Sequence, residues 1–148
     1  MSTIVRSVYD ALKSQVSTTL GSEWTELKFI FDIEKNDQRD LAKGYAIEPL
    51  SAINNPSILK TYTLDQGFQI TLTRSNAREI NDTDLIEGIL DDLYDEASEI
   101  FKAVLNTQLG IPTIVMSVSN PNMDAPEFLA SAAVLRIQVD VKWREQLP

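Results

Sequence analysis

The hydrophobic pattern is most regular between Asn81 and Gly110, where it predicts one long amphipathic helix. At about 100° per residue, the apolar positions occupy one arc of roughly 200° and acidic residues fill the opposite arc. The apolar positions are Leu85, Ile86, Ile89, Leu90, Leu93, Tyr94, Ala97, Ile100, Phe101, Val104 and Leu105. A polar residue at 81–83 can cap the start, and Gly110 followed by Pro112 is a typical stop. An arc this wide needs a sheet, a second helix or both to cover it.

A first helix is predicted over Thr3–Leu20, because its apolar residues also share one arc. These residues are Ile4, Val5, Val8, Tyr9, Leu12, Val16 and Leu20. Ser2 or Thr3 is a suitable N-cap, and Gly21 is a suitable residue to end the helix. We expect this helix to lie on the protein core.

Alternation of apolar and polar residues predicts the strands that precede the long helix. They are Leu27–Glu34, Tyr45–Leu50, Lys60–Leu64 and Phe68–Arg74. Pro49 is expected to end the second strand, and residues 51–57 to form a turn-rich connection. Residues 65–67 are short enough to be the hairpin loop between the last two strands.

A highly polar segment, residues 34–44, follows the first predicted strand. More than half of its residues are charged, and Leu41 is its one large apolar side chain. We expect a mobile loop that is too polar to pack on its own subunit. Two readings stay open: a loop surrounded by solvent, and a loop that becomes ordered on a neighbouring subunit.

Two strands are predicted after the long helix. The first is Thr113–Ser119, followed by a loop over residues 120–126 that contains two prolines. An extended pattern then runs from Phe128 to Glu145, or about 60 Å at ~3.3 Å per residue. A compact domain of this length is only about 38 Å across, so the segment must bend or project. Val134 and Leu135 are adjacent and both apolar, which favours a β-bulge between them.

These elements predict a single α+β domain over residues 1–148. We expect one mainly antiparallel sheet of about five to six strands, with two helices packed on one face. The apolar share of 43% is ordinary for a globular protein. The longest apolar run, residues 132–135, is far too short to span a membrane.

The amino-acid composition argues against most kinds of catalytic site. The sequence contains neither Cys nor His, which excludes disulfides, thiolate metal sites and the usual general base. A Ser–Lys pair with Lys28, Lys60 or Lys102 would lack any surrounding motif, and no glycine-rich phosphate loop occurs. We therefore expect no enzyme activity, no cofactor and no resident metal.

The negative charge is concentrated on the long helix. The chain carries −9 in total, of which residues 82–109 contribute −7 from eight acids and one lysine. Such a face argues against nucleic-acid binding there, although it suits a channel wall along which DNA slides. Pairs one helical turn apart, Asp91 with Asp95 and Asp92 with Glu96, could hold Mg²⁺ or Ca²⁺ weakly. A solvated helix face is the favoured interpretation.

Three stretches carry a resemblance to a known family. They are the helix Ile4–Leu12, the pattern Thr-Leu-Asp-Gln-Gly-Phe-Gln-Ile-Thr-Leu-Thr at 63–73, and the late strand Val134–Val141. With the long helix between them, the chain resembles the tail terminator proteins of long-tailed bacteriophages. The resemblance covers nearly the whole chain. It rests on the order of the helices and strands, the length of the chain and the general character of the sequence.

The resemblance implies a structural role in the virion. Tail terminators form hexameric rings on the head-proximal end of the tail tube, stop its polymerisation and offer a surface to the head connector. The implied partners are further copies of the chain, the tail tube protein and the connector or stopper protein. DNA would only pass the lumen as cargo, no membrane would be involved, and assembly would occur in the host cytoplasm. A head-completion or connector-adaptor neck protein, and an unrelated small cytoplasmic binding module, stay open as alternatives.

Two sets of charged residues are the candidate functional positions. The predicted subunit interface is made by the charged loop and the outer face of the last strand: Lys35, Asp37, Arg39, Asp40, Lys43, Arg136, Asp140, Lys142 and Arg144. The acidic face of the long helix is the candidate lumen lining: Asp84, Glu87, Asp91, Asp92, Asp95 and Glu99. Mixed charges on the first set suit a complementary neighbour.

Overall fold

The computed structural model describes residues 4–56, 61–75, 83–107, 115–129 and 132–146. The elements in order are α1 (Ile4–Leu20), β1 (Thr25–Glu26), a 3₁₀ turn (Ile33–Lys35), α2 (Gln38–Leu41), β2 (Lys43–Pro56), β3 (Thr61–Ser75), α3 (Thr83–Thr107), β4 (Val115–Met123), β5 (Glu127–Phe128) and β6 (Ala132–Gln146). None of the helices among these residues is long and apolar enough to cross a membrane.

The strands form one mostly antiparallel sheet in the order β1-β2-β3-β6-β4, and β5 also pairs with β6. Only the two-residue β1 runs parallel to its neighbour, β2. The predicted α+β architecture is confirmed, and so are both long helices. Thr3 and residues 81–82 and 108–114, where several predicted helix ends and the stop at Gly110 fall, lie outside the described residues.

The main core lies between one face of the sheet and the two helices. Every second residue of the central strands points to this face, as the pleat requires. The fully buried strand residues are Phe68, Ile70, Leu72, Leu135, Ile137, Val141 and Trp143. The helices contribute Val8, Leu12 and Val16 from α1, and Leu93, Ala97, Ile100 and Val104 from α3. The centre of the wide apolar arc of α3 is therefore covered by both the sheet and α1, as predicted, whereas Tyr94 and Leu105 at its margin are exposed.

A second, smaller core lies on the opposite face of the sheet. It consists of Leu27, Ile33, Leu41, Ala46, Ala132 and Val134. Val134 and Leu135 are both buried because both faces of the sheet are covered at this end. The predicted bulge between them is wrong, since β3 and β6 pair in one unbroken register from Thr61 to Ser75.

The segment between β1 and β2 is neither the strand nor the mobile loop that the sequence predicted. Residues 27–34 do not form a strand, and residues 34–44 do not stay apart from their own subunit. Leu41 is fully buried, and Asn36 is only 7% exposed. The Asn36 side chain accepts hydrogen bonds from the backbone N–H groups of Lys28 and Phe29, each at 3.1 Å. A polar segment is thus packed on its own sheet through two apolar anchors and one buried amide.

Strands β2 and β3 are both longer than the predicted strands. Pro49 does not end β2, because the strand continues to Pro56 with a register irregularity between Pro49 and Ala52. Proline is tolerated here because β1 covers only the start of the outer edge of β2. Residues 65–67 are not a loop but the middle of β3. Gln66 is buried and donates hydrogen bonds from Nε2 to the carbonyls of Leu50 and Gly67.

The last two long strands also differ from their predicted limits. Residues 120–123 belong to β4 rather than to a loop, with two register irregularities and Pro121 in the strand. The long extended segment bends rather than running straight, because Glu127–Phe128 folds back on Ala133–Val134. The N–H of Leu129 donates to the carbonyl of Ala132 at 2.8 Å, which closes this turn.

Candidate interaction surface

The charged residues of the segment before β2 are fixed by local structure. Lys35 forms an ion pair with Asp32 at 3.9 Å, and Lys43 forms one with Glu23 at 2.8 Å. Asp37 precedes α2 as its N-cap residue without a capping side-chain hydrogen bond. Three of the predicted interface residues, Asp37, Arg39 and Lys35, are exposed, whereas Asp40 and Lys43 are half-buried.

The predicted interface residues of β6 are half-buried on the sheet. Arg136 already has an ion pair within its own chain, from Nη1 to Glu127 Oε1 at 2.7 Å. Lys142 lies directly opposite Asp65 on β3, and Asp140 lies opposite Gly67. The absence of a side chain at Gly67 makes room for Asp140, since a Cβ there would lie 3.3 Å from Asp140 Oδ1. The side chain of Arg144 is outside the described part of the chain.

The two groups of predicted interface residues lie on the same side of the sheet. Arg136, Asp140 and Lys142 alternate with the buried core residues of β6, so they face away from α1 and α3. The segment 27–42 packs on that same outer face through Leu41 and Ile33. The sequence predicted that the loop and the strand contribute to one subunit interface, but not that they share one face of the sheet. In the structure they form one broad, mixed-charge outer face.

The acidic residues of α3 lie on the opposite side of the molecule. Glu87, Asp91 and Asp95 are exposed, and Glu99 is exposed with an ion pair to Lys102 at 3.4 Å. Asp92 lies 3.9 Å from Arg74, while the side chain of Asp84 is not among those described. Within the described residues, no group of three or more acidic or other ligating side chains could hold a metal ion. This side therefore carries a solvated acidic surface.

One acid of this helix is not on the solvated face. Glu96 forms an ion pair with Arg74, and both side chains are only 19% exposed. The guanidinium of Arg74 also lies over the ring of Trp24, 5.3 Å from its centroid. Burial raises the pKa of Glu96, and the neighbouring Arg74 opposes that rise. Sequence reasoning missed this contact because periodicity placed Glu96 among the other acids, although Arg74 at the end of a strand was a possible signal.

A cavity of about 150 Å³ adjoins this ion pair. It lies where the end of α1 approaches α3, and its walls are Thr19, Leu20, Trp24, Asp95, Glu96 and Glu99. The buried atoms Arg74 Nε and Glu96 Oε2 have no hydrogen-bond partner, but both are closed off from solvent. A molecule in the cavity would therefore contact the other wall atoms and not these two.

Four large apolar side chains are exposed among the described residues. Phe29 is 49% exposed and Phe31 81%, and both lie in the alternating pattern that had predicted a strand over Leu27–Glu34. Tyr94 and Leu105, on α3, are 39% and 40% exposed. Exposed aromatic side chains at fixed positions are typical of interaction surfaces. None of the four belongs to the interface predicted from charge.

No protein-family model and no curated protein matches this chain.

Proposed function

We propose that this protein is a virion structural protein that forms a ring at the head-proximal end of a phage tail tube. The ring stops polymerisation of the tube and offers its other surface to the head connector. The proposal rests on the resemblance of residues 4–12, 63–73 and 134–141 to tail terminators. The α+β fold, with two helices on one face of the sheet, agrees with it.

The length of the central strands is the structural observation that supports a ring subunit best. β3 and β6 are each 15 residues long, and β2 is 14. At ~3.3 Å per residue, 15 residues span about 50 Å, which exceeds the ~38 Å width of a compact domain of this size. Pairing of β6 with β3 continues for three residues beyond the fully buried Trp143, to Gln146. A long paired ladder is a stiff surface for a neighbouring subunit.

The outer face of the sheet is the second supporting observation. It combines acids and bases, among them Asp65, Asp140 and Lys142, at positions that the backbone ladder holds in a fixed order. Mixed charges in fixed positions select a complementary surface and a single register more than they add affinity. Such a face suits a contact that must form with one orientation, as in a closed ring.

Native mass spectrometry of the purified protein is the first test. We expect a closed multimer, and we expect added protein to limit the length of tail tubes assembled in vitro. Lys142→Glu should weaken the multimer or its attachment to tubes while the fold is kept. Arg6→Glu, the same charge change on α1 at the other side of the sheet, is the matched control. Deletion of residues 35–43 is not a useful test, because it removes the buried Asn36 and Leu41 and should unfold the chain.

Two outcomes would contradict the proposal. A protein that stays monomeric at all concentrations, with and without tail tubes, is not a ring subunit. A multimer that leaves tube length unchanged and binds the portal side of the neck instead would indicate a head-completion or connector-adaptor protein.

A further inference from the structure

The four exposed apolar side chains form two patches. The first patch is the aromatic loop, residues 28–32, which presents Phe29 and Phe31. The second is the apolar stripe of α3, which consists of Leu90, Tyr94, Phe101 and Leu105. Their spacing of four, seven and four residues places them along one line on the helix surface. Leu90 and Phe101 are half-buried, so the stripe runs along the border of the core.

The aromatic loop is held rigidly in a conformation that keeps its phenyl rings exposed. Leu27 and Ile33 anchor its two ends in the smaller core. Between them, Asn36 Nδ2 donates to the carbonyls of Phe29 and Ile33, both at 3.0 Å. A loop fixed in this way loses little further entropy when a partner covers it. Its backbone is therefore preorganised for binding, with both aromatic side chains exposed.

The stripe lies on the flank of α3 that faces away from α1. On the opposite flank, Glu96 reaches Arg74 on β3 and lines the cavity with Trp24, the residue before β1. That contact turns the Glu96 flank toward the β1–β2 side of the sheet. Tyr94 and Phe101 lie on the other side of the buried line of α3, so they are turned toward the edge formed by β4.

The two patches therefore lie on opposite sides of one molecule. The aromatic loop belongs to the segment that packs on the outer face of the sheet, while the stripe lies on the helix side and is turned toward β4. Neither patch can cover the other within a single copy. Two different patches on opposite sides are what a head-to-tail contact between identical subunits requires.

The charges beside the two patches are complementary. Lys28, at the start of the aromatic loop, is exposed and makes no ion pair with any described residue. Glu87 and Asp91 border the stripe on its solvent side, are exposed, and likewise have no ion-pair partner in the described ranges. A lysine beside one patch and two acids beside the other favour one docking orientation.

We propose that the partner of each patch is a second copy of this chain: the aromatic loop of one subunit packs on the apolar stripe of the next. Lys28 of the first subunit then lies beside Glu87 and Asp91 of its neighbour. This inference rests on the proposed function, because it supplies the contact that would close the ring. It names apolar residues that the charge-based interface did not include.

Truncation of each patch tests the apolar part of the contact. Phe31→Ser and Leu105→Ser should each raise the subunit dissociation constant by about tenfold or more, as loss of a central apolar contact does. Both side chains are exposed, so the melting temperature should stay close to that of the wild type. Gln38→Ala, an exposed change in the same segment as the loop, is the control and should leave assembly unchanged. The double variant should show strong non-additivity, because both changes remove the same contact.

Charge reversal tests the orientation. Lys28→Glu and Asp91→Lys should each weaken assembly, measured by sedimentation velocity at low salt. An equimolar mixture of Lys28→Glu and Asp91→Lys should assemble with the two variants in alternation, because each contact then joins opposite charges, and the double variant should likewise recover much of the wild-type affinity. Recovery distinguishes direct pairing from a general loss of solubility.

The outcomes separate this inference from the proposed function. If the wild type forms rings and Phe31→Ser and Leu105→Ser form them equally well, the inference is wrong and the ring function stands. If the variants dissociate without any coupling between them, the patches do not face each other and the inference is also wrong. If the wild type is monomeric under all conditions, both proposals fail.

Discussion

Asn36 gives the sharpest test of how the polar segment before β2 is held. Its side chain makes four hydrogen bonds to backbone groups of residues 28, 29 and 33, and it is nearly fully buried. A hydrogen bond contributes about 1 kcal/mol net, so Asn36→Ala should lower the free energy of unfolding by up to ~4 kcal/mol. Because three of the four bonds are only part-buried, water can replace some of them, and we expect ~2–3 kcal/mol.

Urea denaturation followed by tryptophan fluorescence would measure this change. Gln38→Ala removes a similar amide from an exposed position and should shift the free energy of unfolding by less than about 0.5 kcal/mol. Asn36→Asp keeps one acceptor but turns a second oxygen toward the carbonyls of Phe29 and Ile33, so it should be at least as harmful as Asn36→Ala at neutral pH. If Asn36→Ala behaves like Gln38→Ala, the amide does not hold the loop, and the rigidity attributed to the aromatic loop is refuted.

Three further changes give expected outcomes of different kinds. Gly44→Ala should destabilise the fold by ~1–3 kcal/mol in urea denaturation, because its Cβ would lie 2.6 Å from side-chain atoms of both Leu27 and Thr73; an unchanged midpoint would contradict the packing described. Gly88→Ala is its counterpart, since nothing lies within 4 Å of the added Cβ, and it should stabilise α3 by ~0.5–1 kcal/mol; destabilisation would show that this face of the helix is covered. Burial raises the pKa of Glu96 in the folded state, so the folded form binds its proton more tightly than the unfolded form. Relative to Glu96→Gln, the wild type should therefore lose stability as pH rises through and above the ordinary titration range of a glutamate, measured by melting at each pH; a wild type that gains stability relative to Glu96→Gln over this range would show that its pKa is lowered instead.

The helices and their buried faces could be predicted from the sequence because periodicity acts over many residues. The arc that contains Leu93, Ala97, Ile100 and Val104 is buried as expected. In the same way, the alternation from Leu135 to Trp143 places one face of β6 in the core. A pattern repeated over four or more turns or pairs is not easily overturned by one local interaction.

The predicted strand ends were wrong where a residue type occurs both in turns and inside strands. Gly67 resembled a turn residue, yet in β3 its lack of a side chain gives room to Leu50 and Asp140. Pro49 resembled a strand end, yet it lies on an edge where its missing N–H has no partner to lose. Gly67 and Pro49 are each compatible with a turn and with a strand. Pairing with the neighbouring strands determines which of the two forms.

The local contacts of the candidate surface could be predicted least from the sequence. Charge alone selected Lys35 and Arg136, but each has an ion-pair partner in its own chain. Phe29 and Phe31 lie in the alternating pattern that predicted a strand over Leu27–Glu34, whereas the structure exposes both in a loop. The deciding interaction is the side chain of Asn36, which binds backbone groups up to eight residues earlier. No periodicity in the sequence encodes such a contact.

The edges of the sheet have a consequence for solubility. An unpaired strand edge is a template for addition of further strands, and the risk grows when many copies are held close together. Here the outer part of β2 carries Pro49 and a bulge, and β4 carries Pro121 and two irregularities of register. Proline offers no N–H to an incoming strand, and a bulge breaks the spacing that an incoming strand would need. Crowded copies of this chain should therefore associate through side chains, and growth into cross-β fibrils is disfavoured at both ends of the sheet.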